Sequence, residues 1–100
     1  MTLSSLKFRN LLSGAGLDVH EYSGRYMFGV TCVSVHCDRE ADVPIAIAQA
    51  LVDGYIDRDE TDALIAAVRG SRSESLGKGT VVYFPEVPWV DTRDEKPQGQ

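Results

Sequence analysis

The sequence predicts an α+β domain in which a three-stranded antiparallel sheet packs against helices in the order α-β-β-α-α-β. Three observations carry this expectation. Apolar residues recur at helical spacing in residues 2–13 and again between 42 and 69, while β-rich runs of alternating or β-branched residues lie between and after them. Gly or Pro stands at nearly every boundary between these segments. With 100 residues, 43% of them hydrophobic, there is enough apolar material for one core and little for a second. The expected bounds are a single domain over residues 1–89 and a flexible tail over residues 90–100, where Pro, Asp, Lys and Gln dominate.

The first element is a short amphipathic helix over Thr2 to Ser13, with Leu3, Phe8, Leu11 and Leu12 on its apolar side, Thr2 or Ser4 as N-cap and Gly14 as the stop. Leu17 to Tyr22 alternates apolar and polar residues as a half-buried strand does, and Ser23-Gly24 supplies a two-residue hairpin turn. A second strand then runs from Arg25 towards Cys37. In that hairpin Val19 faces Phe28 and Leu17 faces Val30, which makes Phe28 a core residue. Val33 and Val35 have the wrong parity to share that face, so either a bulge intervenes or both faces are covered.

Asp42-Val43-Pro44 opens a second helix, because Pro fits a first turn where its missing N–H costs nothing, and Ile47, Ala48, Leu51 and Val52 form its apolar stripe. Gly54 ends it. A third helix starts near Asp57 or Asp59, turns Leu64, Ile65 and Val68 inward and stops at Gly70. Ser71 to Gly79 reads as a loop on its Ser, Gly and charge, and Thr80 to Phe84 is the third strand, ended by Pro85.

Several function classes are excluded on these grounds. No run approaches the roughly 18 apolar residues that span a bilayer, and Lys7 and Arg9 follow the first leucines rather than preceding them as in a signal peptide. A soluble cytoplasmic protein, without a membrane partner, is expected. Cys32 and Cys37 are five apart on one strand, point to opposite faces and are expected as reduced thiols. Asp53-Gly54-Tyr55-Ile56-Asp57 with Glu60 matches the second half of a calcium loop, but Gln49 and Leu51 stand where its first half needs acids. Gly77-Lys78-Gly79-Thr80 lacks the earlier Gly, the preceding strand and the following helix of a phosphate loop. Cys32, His36 and His20 are too few for a closed zinc site. No nucleophile-base-acid set or paired carboxylates are marked, so a non-enzymatic protein with no catalytic residues, cofactor or metal is expected.

Two segments stand out as partner-binding candidates. Tyr22, Arg25 and Tyr26 lie beside the expected turn and are residue types enriched at binding hot spots. Between Asp38 and Asp62 eight acids face two bases, a local net of −6 in a chain whose total is −5. Asp53, Asp57, Asp59, Glu60 and Asp62 belong to this stretch, which repels phosphate backbones and favours a basic partner.

The segment Tyr22-Ser23-Gly24-Arg25-Tyr26-Met27-Phe28-Gly29, with Cys32 after it and Leu76-Gly77 and Val82-Tyr83-Phe84-Pro85 near the end, resembles a group of small orphan proteins of bacteriophages and bacterial mobile elements. Those carry Tyr-Ser-Gly-Arg-Gly-Met-Tyr-Gly, a Cys three residues later and a terminal Tyr-Trp-Pro-like strand; here Tyr26 replaces the Gly and Phe84 the Trp. The resemblance spans Leu11 to Pro85 and implies a mobile-element origin, with no chemistry to carry over. By analogy with small acidic phage proteins, the expected function is an interaction protein that inhibits a host defence system, as anti-CRISPR proteins do, by binding a host protein with a basic, nucleic-acid-binding surface. The alternative is a nucleic-acid-associated regulator that stacks bases on Tyr22, Arg25 and Tyr26, although the acidic field disfavours direct nucleic-acid binding.

Overall fold

The computed structural model describes residues 3–24 and 29–90. Among the described residues, two of the three helices open on a side-chain cap. Helix α1 (Ser5–Gly14) is opened by Ser4, whose hydroxyl accepts the Lys7 N–H at 3.1 Å, and it buries Phe8, Leu11 and Leu12. Strand β1 (Asp18–Tyr22) pairs antiparallel with β2 (Cys32–Cys37). Helix α2 (Asp42–Val52) places Pro44 in its first turn, and Gly54 at φ 79° takes the left-handed conformation just past its end. Helix α3 (Arg58–Arg69) starts on a capping box in which Asp57 accepts the Glu60 N–H at 2.7 Å and Glu60 accepts the Asp57 N–H at 2.9 Å. Strands β3 (Arg72–Leu76) and β4 (Gly79–Pro88) complete a four-stranded antiparallel sheet of order β1-β2-β4-β3.

The expected three strands are therefore four, and the order is α-β-β-α-α-β-β. The added strand is β3, which the sequence reads as a loop because every one of its residues is exposed. It is held by its backbone ladder to β4, with no apolar pattern to announce it. Gly77-Lys78 closes that hairpin, with Gly77 at φ 56°, so the Gly-Lys-Gly motif is a two-residue β-turn. Strand β4 continues past Pro85, and the register against β2 shifts between Cys32, opposite Pro88, and Val33, opposite Phe84. Proline is tolerated there because the ladder is already interrupted and its missing N–H leaves no partner unserved.

The first hairpin is also corrected. Val19 pairs with Val35, seven residues beyond the expected Phe28, and Tyr22 pairs with Cys32. The connection between β1 and β2 is therefore longer than a two-residue turn, and β2 begins at Cys32 rather than Arg25. Because seven is odd, the correction exchanges the faces of β2. Val33 and Val35 now point with Val19 towards the helices, and no parity conflict remains. Arg25, Tyr26, Met27 and Phe28, including the expected core role of Phe28, lie outside the described residues, as does the expected tail from residue 91 onward.

The core forms between one face of the sheet and the three helices. Val33, Val35, Val82 and Phe84 meet Phe8, Leu11, Leu12, Val43, Ile47, Ala50, Ile56 and Leu64, with Phe8 and Phe84 edge to face at 5.1 Å. Chain continuity after β4 is tied back to α1 by Arg9, which donates to the Val90 carbonyl at 2.7 Å and lies 3.6 Å over the Trp89 ring. The thiols of Cys32 and Cys37 are free. No helix among the described residues is long and apolar enough to cross a membrane.

Candidate functional site

Helix α2 is apolar almost all round, so its sequence alone cannot say which side is buried. The expected inward stripe of Ile47, Ala48, Leu51 and Val52 is rotated: Val43, Ile47 and Ala50 are the buried positions. Ile45, Ala48, Gln49 and Val52 face outward, with Ile45 58% and Val52 78% exposed. The acids bracket this stripe. At its N-terminal end Asp38 and Asp42 line an open groove of about 540 Å³ with Ile45, Ala46, Gln49, Asp18 and His36. At its C-terminal end, about 16 Å away at helical rise, Asp53 accepts a hydrogen bond from Gln49 at 2.9 Å.

The first acidic group is concentrated in space as well as in sequence. Cys37, half-buried beside it, has its thiol pushed up by burial and then by the negative charge of Asp42, Asp38 and Glu40. Among the described residues one cation pairs with them: Arg39 with Asp42 at 3.4 Å on an exposed surface. The second group has mostly structural duties. Asp57 and Glu60 form the capping box, and Glu60 also pairs with Lys7 of α1 at 3.5 Å. Asp59 and Asp62 are exposed, and their side chains make no hydrogen bond or ion pair with another described residue.

The opposite face of the sheet carries no helix among the described residues, and its side chains make their own cover. Tyr22, expected at a hairpin tip, lies flat on this face, stacked on Tyr83 with ring centroids 4.2 Å apart. Its hydroxyl donates to Glu74. Burial, followed by the hydrogen bond and charge of Glu74, holds the Tyr22 hydroxyl above the usual tyrosine range. Beneath the aromatic layer Cys32, Ser34 and Val81 are fully buried, and Ser34 donates to the His20 carbonyl at 2.9 Å. Burial raises the Cys32 thiol, so neither cysteine has the depressed pKa of a nucleophile.

Next to this layer, the register places Asp18 opposite His36 and His20 one step along the same face. The two imidazoles stack at 4.1 Å between centroids, 21° from parallel, and Asp18 Oδ1 is 2.8 Å from His20 Nε2. Sequence reasoning passed over Asp18, His36 as its neighbour, and Ile45. The available signal was Asp18 and His20 two apart on one strand, but with a hairpin misaligned by seven residues it pointed to no partner.

No protein-family model matches the chain, and no curated protein or solved structure matches it. The fold and these surfaces define an α+β protein with one helix-covered sheet face and one that is uncovered by any helix among the described residues.

Proposed function

We propose that the chain is a small, acidic, non-enzymatic interaction protein of phage or mobile-element origin that binds a basic surface of a host protein and inhibits it, in the manner of anti-CRISPR proteins. The observation that supports this reading best is the outward stripe of α2. Ile45, Ala48 and Val52 present apolar surface, and Asp38, Asp42 and Asp53 stand at its two ends. An apolar centre with a charged rim is the general layout of protein interfaces. A basic partner groove would place its own cations against the rim, giving fast, salt-sensitive association. The phage or mobile-element origin rests on the sequence resemblance.

The test is capture of a host protein from bacterial lysate, followed by titration of that purified protein against the wild-type chain and two variants. Ile45→Arg should weaken binding at least tenfold, and Asp38→Lys with Asp42→Lys should remove most of its salt dependence. Binding that survives both changes would sink the reading.

The nucleic-acid alternative keeps one supporting observation, an aromatic pair on the uncovered sheet face. Tyr83, however, is only 7% exposed and gives its ring face to Tyr22, so at most one stacking surface is left. Fluorescence polarisation with single-stranded oligonucleotides at about 50 mM salt, where phosphate contacts are strong, should show no binding.

A further inference from the structure

The geometry points to a binding site for a divalent transition metal of the zinc class, formed by Asp18, His20 and His36 on the uncovered face of the sheet. Each of these residues offers one ligand atom, and the three atoms lie within 4.8 Å of one another. Zinc–nitrogen and zinc–oxygen bonds of about 2.0–2.2 Å at a tetrahedral angle need ligand atoms about 3.4 Å apart. The adjustment is therefore at most about 1.4 Å in any ligand pair. Rotation about the side-chain bonds can supply it, since the His20 and Asp18 side chains are 44% and 67% exposed and His36 is exposed.

The backbone supplies the preorganisation. Asp18 and His20 are two apart on β1, His36 is the direct cross-strand partner of Asp18, and His20, opposite Ser34, is the diagonal neighbour of His36, so all three share one face within reach of one another. The stacked histidines are the only two in the 100 residues, and both are in this cluster. Two imidazoles with one carboxylate suit zinc, nickel or copper, whereas calcium and magnesium need more oxygen donors than are present. Asp18 and His36 also line the groove that Asp38 and Asp42 enter, so the surrounding field favours a cation. With three protein ligands, the remaining coordination positions are open to water or to a donor from another molecule. The site stands independently of the partner-binding reading.

Zinc sulfate titrated into the chain, free of any polyhistidine tag, tests this by isothermal calorimetry. One equivalent should bind with micromolar affinity, and magnesium at the same concentrations should give no comparable binding. In histidine side-chain NMR spectra both imidazoles should shift with one equivalent of zinc. His20→Ala and His36→Ala should each weaken zinc at least tenfold, Asp18→Asn should weaken it severalfold, and Cys37→Ser should leave it unchanged. Because the site spans two paired strands of the folded state, zinc at 100 times its Kd should raise Tm by about 10 °C or more. The proposal is overturned by absence of binding up to millimolar zinc or by unshifted imidazoles at saturation. Unchanged affinity in His20→Ala and His36→Ala, or loss of affinity in Cys37→Ser alone, overturns it equally.

Discussion

Replacing Asp57 by Ala separates the acids that build the fold from those that are free to meet a partner. Asp57 is the N-cap of α3, and its carboxylate accepts the Glu60 N–H at 2.7 Å. Deleting such a cap costs about 1 kcal/mol, within a range of roughly 0.5–2. The reciprocal bond from the Asp57 N–H to Glu60 at 2.9 Å uses the backbone of residue 57 and survives the change. The Lys7–Glu60 pair at 3.5 Å also survives, and with Lys7 more than half exposed it contributes only a few tenths of a kcal/mol. The net expectation for Asp57→Ala is therefore about 1 kcal/mol, which in a domain of this size lowers Tm by about 4–8 °C. Asp57→Asn keeps the acceptor and loses only the charge at the helix N-terminus, about 0.3–1 kcal/mol. Asp62→Asn lies beyond the first turn and should be neutral within about 0.5 kcal/mol. Urea unfolding followed by far-UV circular dichroism measures all three. The reasoning is refuted if Asp57→Ala matches the wild type, or if Asp57→Asn is more damaging than Asp57→Ala.

Tyr22 is held protonated above the usual tyrosine range, so its contribution to stability is complete below the unfolded-state pKa of about 10 and is lost as pH rises past it. Absorbance titration at alkaline pH should show a delayed tyrosine component that Tyr22→Phe removes; a high-pH limb that Tyr22→Phe leaves unchanged would contradict this. Burial raises both thiols, and at Cys37 the charges of Asp42, Asp38 and Glu40 add to it, so iodoacetamide at pH 7 should label native Cys32 and Cys37 slowly and the urea-unfolded chain much faster. Equal rates in the two states would refute it. Arg9→Ala removes the cation over Trp89 and the bond to the Val90 carbonyl, which together contribute about 1–2 kcal/mol. The emission of Trp89, the only tryptophan, should shift to the red; an unchanged spectrum with unchanged stability would show that the contact does not hold the end of β4.

What could be read from the sequence follows the range of the interactions involved. Helix ends are local chemistry, and Ser4, Pro44, Gly54 and the Asp57–Glu60 box mark them within a residue or two. The buried side of α3 was legible because polar residues separate Leu64, Ile65 and Val68 from its solvent face. On α2 no such contrast exists, and tertiary packing alone decides that Ile47 is buried while Ile45 is not. Strand β3 left no trace because an edge strand with every side chain exposed draws its stability from main-chain bonds, which any residue but proline can make.

The register of the first hairpin had the widest consequences, because strand parity converts one misplaced turn into a wrong face for every residue downstream. A two-residue turn at Ser23-Gly24 would set His20 opposite Met27 and leave Asp18 and His36 without a common neighbour. The observed pairing of Asp18 with His36 gathers all the imidazoles of the chain beside one carboxylate and sends Val33 and Val35 into the core in the same move. The candidate metal ligands and the hydrophobic core thus depend on a single alignment. A change that shifted it by one residue would turn Val33 and Val35 away from the helices, put Cys32 and Ser34 in their place and separate His20 from His36 together. Such a shift would exchange two fully enclosed valines of the core for a thiol and a hydroxyl, so the packing that stabilises the sheet also fixes the geometry of its other face.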